Sequence, residues 1–256
     1  MGNSANCDSA LPSYPESSLM CGRFTLRTSP DVLIQLFQTT TFPELTPRWN
    51  IAPTQMICAI RATEEANTRR QAAMLRWGLV PFWAEDPSAG ARMLNARSET
   101  AAEKPAFRAA WRKRRCLIPA DGFYEWQKLA SGKKQPWWIH QPDGEPFAMA
   151  GLWETWTPRA HNPDAPTEPL QSCTILTTSA SKDLKGLHDR MPVILTPDAW
   201  NAWLNPETPL PILQSLMMPA PPGTLVLTCV STLVNRPSPD SPDCLQPVPP
   251  PEPLPG

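Results

Sequence analysis

Proline is the residue that most restricts how this chain folds. It occurs 34 times, and nine of these prolines fall within residues 237–256. Because proline lacks a backbone N–H group and has a fixed φ angle, that segment cannot form a helix or a central strand. We therefore predict a stiff, solvated and disordered tail over 237–256. Residues 1–19 are rich in serine, asparagine and proline and are also poor core material, so we expect the folded unit to span 20–236.

Charge is distributed unevenly along the chain. The formal net charge is −1. Residues 1–20 and 237–256 carry only acidic charges, however, so the stretch between them is about +4. Eight cations and only two glutamates lie between Arg92 and Arg115. This concentration of positive charge indicates an anionic partner.

Several classes of protein are excluded. No apolar run reaches about 18 residues, so no membrane span is expected. Lys and Arg are absent before Arg23, which argues against a secretory signal or a transit peptide. The seven cysteines are scattered and include no Cys-x-x-Cys pair, which fits a reducing cytoplasm better than a disulfide framework. The three histidines are far apart, so we expect neither a metal nor another cofactor.

Short apolar runs bounded by proline, glycine or charged residues predict many short strands. The predicted strands are Met56–Ile60, Met74–Val80, Cys116–Pro119, Gly122–Gln127, Pro136–His140, Pro146–Trp153, Cys173–Thr178, Val193–Leu195 and Thr224–Val230. Many short strands with a few interposed helices indicate an α+β protein, with a β-rich, barrel-like mixed sheet at its core and a few short helices at its periphery. Thr157–Pro169 is expected to be a surface insertion.

Two helices are predicted from apolar periodicity. The first begins at Pro30 after a Ser29 cap. Its apolar face consists of Val32, Leu33, Leu36 and Phe37. The second has an apolar side formed by Phe107, Ala110 and Trp111. Its outward side consists of Arg108, Arg112 and Arg115.

Three residues have the chemistry of catalytic groups, although each also has a structural explanation. Cys21 fits a small buried hydrophobic residue, and His188 fits a loop histidine. Glu125 lies between two aromatic residues in an apolar strand, where a carboxylate must be paired, protonated or directed at a ligand.

Seven ordered blocks of sequence together form a family pattern. The blocks are Met20–Phe24, Arg48–Gln55, Arg76–Trp83, Asn95–Thr100, Pro119–Trp126, Lys134–Pro136 and Leu187–Pro192. This pattern resembles the SRAP family of SOS-response-associated peptidase-like proteins, which process abasic sites in single-stranded DNA, over roughly residues 20–235. The resemblance implies a single domain with a β-rich core and a positively charged channel for DNA.

The resemblance also implies that Cys21 reacts as the first residue of the chain. A cysteine with a free α-amine can condense with the aldehyde of a ring-opened abasic site to form an imine, and its thiol then closes a thiazolidine ring. The family's cysteine directly follows the initiator methionine, whereas twenty residues precede Cys21. We expect either that translation starts at Met20 or that the chain is cut after Met20. If neither happens, the crosslink cannot form.

By resemblance, three further residues take part in the reaction. Glu125 is expected to shuttle protons during imine formation and ring closure. His188 is expected to assist opening of the sugar ring and reversal of the crosslink. Asn95 is expected to hold the sugar or the cysteine by hydrogen bonds.

Arginines and aromatic residues are expected to contact the DNA. Arg23, Arg97 and Arg190 are predicted to grip phosphates as multidentate donors. The alternative for these arginines is a salt bridge, and the candidate partners are Asp121, Asp189 and Glu99.

An exposed aromatic pair is predicted to stack beside the lesion. Phe82 and Trp83 are candidates for a wedge or a base-stacking platform. Pro53 is expected to support that wedge from behind.

Three functions compete at this stage. The first is a DNA-repair enzyme that crosslinks to abasic sites and shields them from strand cleavage, acting as a monomer in the cytoplasm on abasic single-stranded DNA. The second is an autoprocessing cysteine peptidase, a hydrolase whose role on DNA is secondary. The third is a non-covalent module that binds single-stranded DNA and is indifferent to the lesion.

Overall fold

A computed structural model describes residues 22–63, 70–158 and 168–254. The strands in these residues are β1 Phe24–Leu26, β2 Arg48–Ile51, β3 Met56–Ala62, β4 Arg70–Trp77, β5 Asn95–Arg97, β6 Arg115–Ala120, β7 Gly122–Lys128, β8 Lys134–His140, β9 Phe147–Trp156, β10 Leu170–Ser179, β11 Arg190–Pro192, β12 Ile194–Leu195 and β13 Val226–Cys229. The α-helices are α1 Pro30–Phe37, α2 Ser98–Ala101, α3 Arg108–Lys113, α4 Trp200–Leu204 and α5 Leu210–Ser215. Short 3-10 helices occupy Pro87–Arg92, Lys182–Leu184, Pro197–Ala199, Thr232–Asn235 and Pro242–Leu245. No helix within the described ranges has the length and apolar character needed to span a bilayer.

Five of the strands close into a ring. β3 pairs antiparallel with β4 and β6, β6 pairs with β9, and β9 pairs with β10. The ring closes because β10 runs parallel to β4, with Ser172 and Cys173 opposite Arg76 and Trp77. All residues of β6 are buried, as is typical of a strand covered on both faces. The prediction of a mixed, barrel-like sheet is confirmed.

A second sheet, entirely antiparallel, packs against this barrel. Its strand order is β13-β8-β7-β1-β2. Phe24 and Phe123 of this sheet belong to the same buried apolar cluster as Trp77 of the barrel. The rings of Phe24 and Trp77 meet edge to face, with their centroids 5.3 Å apart, a favourable aromatic geometry. One core therefore joins both sheets, and the single-domain α+β prediction is confirmed.

The short helices lie at the periphery, and the inward face of α1 is narrower than predicted. Leu33 and Phe37 are buried, whereas Val32 is exposed. Residues four apart share one face of a helix. Val32 is one residue from Leu33, a turn of about 100°, and therefore points away from the core.

Arg115 was expected on the outward side of the second helix, and that prediction is wrong. α3 ends at Lys113, and Arg115 is the first residue of β6, only 3% exposed. Its guanidinium donates to four backbone carbonyls, which belong to Trp111, Arg112, Trp203 and Asn205. Because these carbonyls lie at the ends of α3 and α4, Arg115 acts as a buried link between two helices and not as a surface cation.

The proline-rich C-terminal segment is also not the solvated tail that its composition predicts. Cys244 is fully buried in a cluster with Tyr124, and the Val248 N–H donates to a carbonyl of β13 at 2.9 Å. Proline cannot donate a hydrogen bond, but its carbonyl still accepts one, and Pro239 and Pro253 both do so. The folded unit therefore extends beyond residue 236.

Two other predictions lie outside the described residues. The disordered extension over 1–19 is one of them. Most of the surface insertion at Thr157–Pro169 is the other.

Candidate functional site

The start of β1 lies beside the strand that carries Glu125. Phe24 pairs with Phe123, and the N–H of Tyr124 donates to the carbonyl of Arg23 at 3.0 Å. Arg23 therefore lies opposite Tyr124, and the next pair in this antiparallel register is Gly22 and Glu125. Cys21, which precedes Gly22, lies outside the described residues. The strand pairing therefore places Glu125 next to the backbone that follows Cys21.

Glu125 is a buried carboxylate in the middle of a strand. It is 3% exposed, and its partner across the β7–β8 pair is Trp137. Because side chains alternate along a strand, Glu125 shares a face with Phe123, which packs in the core between the two sheets. A carboxylate in such a position is a candidate for proton transfer.

Asn95 is connected to β1 through other core residues. Phe24 contacts Trp77, and the indole N–H of Trp77 donates to the carbonyl of Leu94 at 3.0 Å. The Ile175 N–H donates to the same carbonyl at 3.0 Å. Asn95, the next residue, begins β5 and lies opposite Ile175. Trp77 and Leu94 therefore link Phe24 of β1 with the strand that carries Asn95.

Arg97 and Arg190 lie on opposite sides of one strand, and only Arg97 is exposed. Thr177 of β10 lies opposite Arg97 in β5 and opposite Pro192 in β11. The guanidinium of Arg190 forms a bidentate ion pair with Glu99, at 2.5 and 2.8 Å, and also donates to the Thr177 carbonyl at 2.7 Å. This hydrogen-bonded pairing lowers the pKa of Glu99. The salt-bridge alternative is therefore observed for Arg190.

His188 lies in the loop before β11. Its side chain is 26% exposed, and its Nδ1 accepts the N–H of Arg190 at 3.0 Å. That hydrogen bond places the proton of a neutral imidazole on Nε2. The carboxylate of Asp189 lies 3.1 Å from the same Nδ1.

Arg23 has a structural role that the sequence analysis missed. Its Nη1 donates to the side-chain oxygen of Asn50 at 2.8 Å and to the carbonyls of Val234 and Arg236 at 2.8 and 3.2 Å. Burial lowers the pKa of this guanidinium. Arg23 thus anchors the start of β1, and no local pattern in the sequence signals its distant partners.

Phe82 and Trp83 project from the loop after β4. They are 57% and 45% exposed, which is unusual for large aromatic side chains. Pro53 lies in a turn tied to the same strand end, because the N–H of Thr54 donates to the carbonyl of Trp77 at 2.9 Å. The loop that contains Pro53 is therefore hydrogen-bonded to the end of β4, the strand that the loop of Phe82 and Trp83 follows.

Besides Cys21, the predicted reactive residue, the chain has cysteines that are buried in the core. Cys58, Cys116 and Cys173 line the interior of the barrel. Desolvation raises the pKa of all three, that of Cys58 to about 12, so they remain neutral thiols at pH 7. Within the described ranges, no cluster of three or more His, Cys, Asp or Glu side chains could hold a metal ion.

Known proteins with similar sequences and structures fit this architecture. The family model of the SOS response associated peptidase (SRAP) matches residues 20–237. The chain is 44% identical over 230 residues to the abasic site processing protein YoaM of Bacillus subtilis, covering 88% of this chain and 97% of that protein. It is 32% identical over 194 residues to the abasic site processing protein YedK of Escherichia coli, covering 73% and 81%.

Solved structures show the same fold. A protein from Bordetella bronchiseptica, 31% identical, superposes with a TM-score of 0.68 over 82% of this chain and 100% of its own. A protein from Bacteroides thetaiotaomicron, 23% identical, superposes with a TM-score of 0.72 over 89% and 100%. Because the family model covers most of the chain, this protein belongs to the SRAP family.

Proposed function

We propose that this protein processes abasic sites by forming a covalent crosslink, through Cys21, to abasic single-stranded DNA. Membership of the SRAP family and similarity to relatives named abasic site processing proteins support the DNA lesion as substrate. The observation that carries the crosslinking step is the position of Glu125, a buried carboxylate beside the residues that follow Cys21.

The proposed reaction joins two groups of one cysteine to one carbon of the sugar. The neutral α-amine attacks the aldehyde carbon of the ring-opened abasic site, and loss of one water gives an imine. The thiol sulfur then adds to the imine carbon while its proton passes to the nitrogen, which closes a five-membered thiazolidine. The net change is the loss of one water. An α-amine has a reference pKa of about 7.7–8.0, so a useful neutral fraction exists at pH 7.

Proton transfers accompany each step, and we assign them to the candidate residues. Glu125 takes the proton from the amine and returns it to the departing hydroxyl, which is general acid–base catalysis. His188, with its proton on Nε2, assists opening of the sugar ring. Asn95 supplies an amide that holds the sugar or the cysteine by hydrogen bonds.

DNA is held mainly by its backbone and by stacking. Arg97 is exposed at the end of β5, where it can contact a phosphate. Phe82 and Trp83 offer a surface on which bases stack without sequence preference. Arg190 forms an ion pair with Glu99, so it contacts a phosphate only when the phosphate replaces Glu99 as its partner.

The reaction requires that Cys21 be the first residue. An internal cysteine has an amide nitrogen in place of the amine and cannot form the imine. The family model matches from residue 20 onward, which is consistent with a working chain that begins at Cys21. Hydrolysis of the peptide bond after Met20 by the protein itself is one route to that chain, and translation from Met20 followed by removal of the methionine is the other.

The test uses a labelled single-stranded oligonucleotide with one abasic site, incubated with excess protein and separated on a denaturing gel. We expect a covalent adduct with protein that begins at Cys21, and no adduct with an undamaged oligonucleotide. The matched control protein retains residues 1–20, as verified by its intact mass, and is expected to form no adduct while those residues remain attached. Adduct formation by Cys21→Ala would contradict the proposal, and equal, reversible binding of damaged and undamaged strands would favour a non-covalent binding module.

A peptidase makes a different prediction in the same experiment. Full-length protein incubated alone would lose residues 1–20 over time, which is read from its intact mass. Loss that depends on Cys21 and occurs without any adduct to DNA would favour the autoprocessing peptidase.

A further inference from the structure

The C-terminal segment 237–254 is attached to the sheet edge next to the proposed site. Among the strands that the structure describes, β2 is the outermost one of the antiparallel sheet, so none of them bonds to its outward N–H groups. One carboxylate oxygen of Asp240 accepts the N–H of Trp49 at 2.6 Å and that of Asn50 at 2.8 Å. The other oxygen is paired with Arg48. A side chain from the C-terminal segment thus satisfies the edge strand in place of another strand.

Asn50 links the C-terminal segment to β1 through hydrogen bonds of its side chain. Its side chain is fully buried, and its amide group donates to the carbonyls of Arg236 and Pro239 at 2.8 and 2.9 Å. Its side-chain oxygen accepts Nη1 of Arg23 at 2.8 Å. One buried asparagine therefore links the C-terminal segment to the residue two positions after Cys21.

The same contacts also reach the strand of Glu125. The hydroxyl of Tyr124 donates to the carbonyl of Trp49 at 2.7 Å, and the N–H of Tyr124 donates to the carbonyl of Arg23 at 3.0 Å. A closed network of hydrogen bonds thus surrounds the pairing of Arg23 with Tyr124. Their immediate neighbours, Gly22 and Glu125, flank the proposed reaction centre.

We propose that Asp240 and Asn50 are positioning residues, through which the segment 237–254 fixes the register of the residues after Cys21 against Glu125. This inference rests on the proposed function and extends it beyond residues 20–237, the range that the family model matches. Its physical basis is that a proton transfer and a ring closure tolerate little displacement, so a loosened start of β1 lowers the rate of reaction more than the affinity for DNA.

The test compares Asp240→Ala with Asp243→Asn. Asp243 is an exposed carboxylate on the same segment and serves as the matched control. Adduct formation is followed with increasing excess of protein, which separates the maximal rate from the half-saturating concentration. We expect Asp240→Ala to lower the maximal rate about tenfold while the half-saturating concentration stays within about twofold. We expect Asp243→Asn to match the unmodified protein.

Hydrogen exchange provides a readout that does not depend on the reaction. In Asp240→Ala, amides in peptides covering residues 22–26 and 122–126 should exchange about tenfold faster, whereas those of β9 should be unchanged. If the unmodified protein forms no adduct, the proposed function fails, but the exchange result still decides whether Asp240 positions β1. Changes below about threefold in both exchange and maximal rate would overturn the inference, even if the melting temperature falls.

A second variant covers the case in which Asp240→Ala does not fold. Asp240→Asn keeps one oxygen for the N–H groups of Trp49 and Asn50 but loses the ion pair with Arg48. We expect an effect in the same direction of about threefold or more in rate and in exchange. A smaller effect would overturn the inference.

Discussion

Replacing Glu125 with glutamine tests the proposed proton transfer with little disturbance of the fold. Glutamine has nearly the same shape, so the packing of the 3%-exposed side chain against its neighbours is retained. The amide cannot accept and return a proton, and bulk water does not reach the position to replace it. Because general acid–base catalysis contributes about 10²–10⁴ in rate, we expect adduct formation to slow by that factor, or about 3–5 kcal/mol in barrier.

DNA affinity should change far less than the rate. Glu125 is only 3% exposed and is not among the proposed phosphate or stacking contacts, so we expect the affinity to stay within about threefold. The assay measures the single-turnover rate at saturating protein on a denaturing gel and measures affinity by fluorescence anisotropy on an undamaged strand.

The matched control for this prediction is Glu154→Gln. Glu154 is another buried glutamate within a strand, but it pairs with Arg114 at 2.5 Å in the barrel wall. Its substitution should leave the rate of adduct formation within about twofold. A rate for Glu125→Gln within about threefold of the unmodified protein, or an equal loss in both variants, would refute the assignment of Glu125 as the proton-transfer group.

Three further substitutions address stability and DNA contact. Arg115→Met leaves four carbonyls without their donor, two of them in fully buried hydrogen bonds, so we expect a loss of about 3–5 kcal/mol in the free energy of unfolding, measured by urea denaturation; a loss below about 1 kcal/mol would contradict the structural role of Arg115. Arg97→Ala should weaken binding to any sequence and reduce the slope of log affinity against log salt by about one, and an unchanged slope would remove Arg97 from the phosphate contacts. Glu99→Gln should lower stability by less than about 1 kcal/mol at pH 7 because the pair is partly exposed. Since the pKa of Glu99 is lowered in the folded state, this difference should begin to shrink as pH falls through about 4.3, the ordinary glutamate pKa, and should disappear below the lowered folded-state pKa; a difference that does not shrink in acid would exclude the ion pair as its cause.

Local sequence patterns were enough to predict the longer strands of the barrel and its class. The three-residue strands β1, β5 and β11 escaped prediction because so short a segment has no periodicity of its own. They are identified only by the strands that they pair with, which lie far away in the sequence. The burial of Arg115 escaped for a related reason, since the helical pattern continued past the residue where α3 ends.

In the candidate site, too, some features could be predicted from the sequence and others could not. The resemblance to a family named Glu125, Asn95 and His188 as candidates. The structure shows that β5, which begins at Asn95, and β11, which follows the loop of His188, both pair with β10, whereas Glu125 lies in β7 of the other sheet. The resemblance could not indicate that Arg23 is held by the carbonyls of Val234 and Arg236, because these lie more than 200 residues away in the sequence. Composition alone also misjudged the segment 237–254, since prolines supply carbonyl acceptors that a count of prolines does not reveal.

The central claim is that both the amine and the thiol of Cys21 bond to one sugar carbon. The most direct measurement is the intact mass of the adduct between protein beginning at Cys21 and an abasic oligonucleotide, followed by alkylation with iodoacetamide and peptide mapping. The account predicts a mass equal to the sum of the two partners less one water, and a Cys21 sulfur that resists alkylation. A different mass, an adduct at another residue, or a Cys21 thiol that is still alkylated would contradict it.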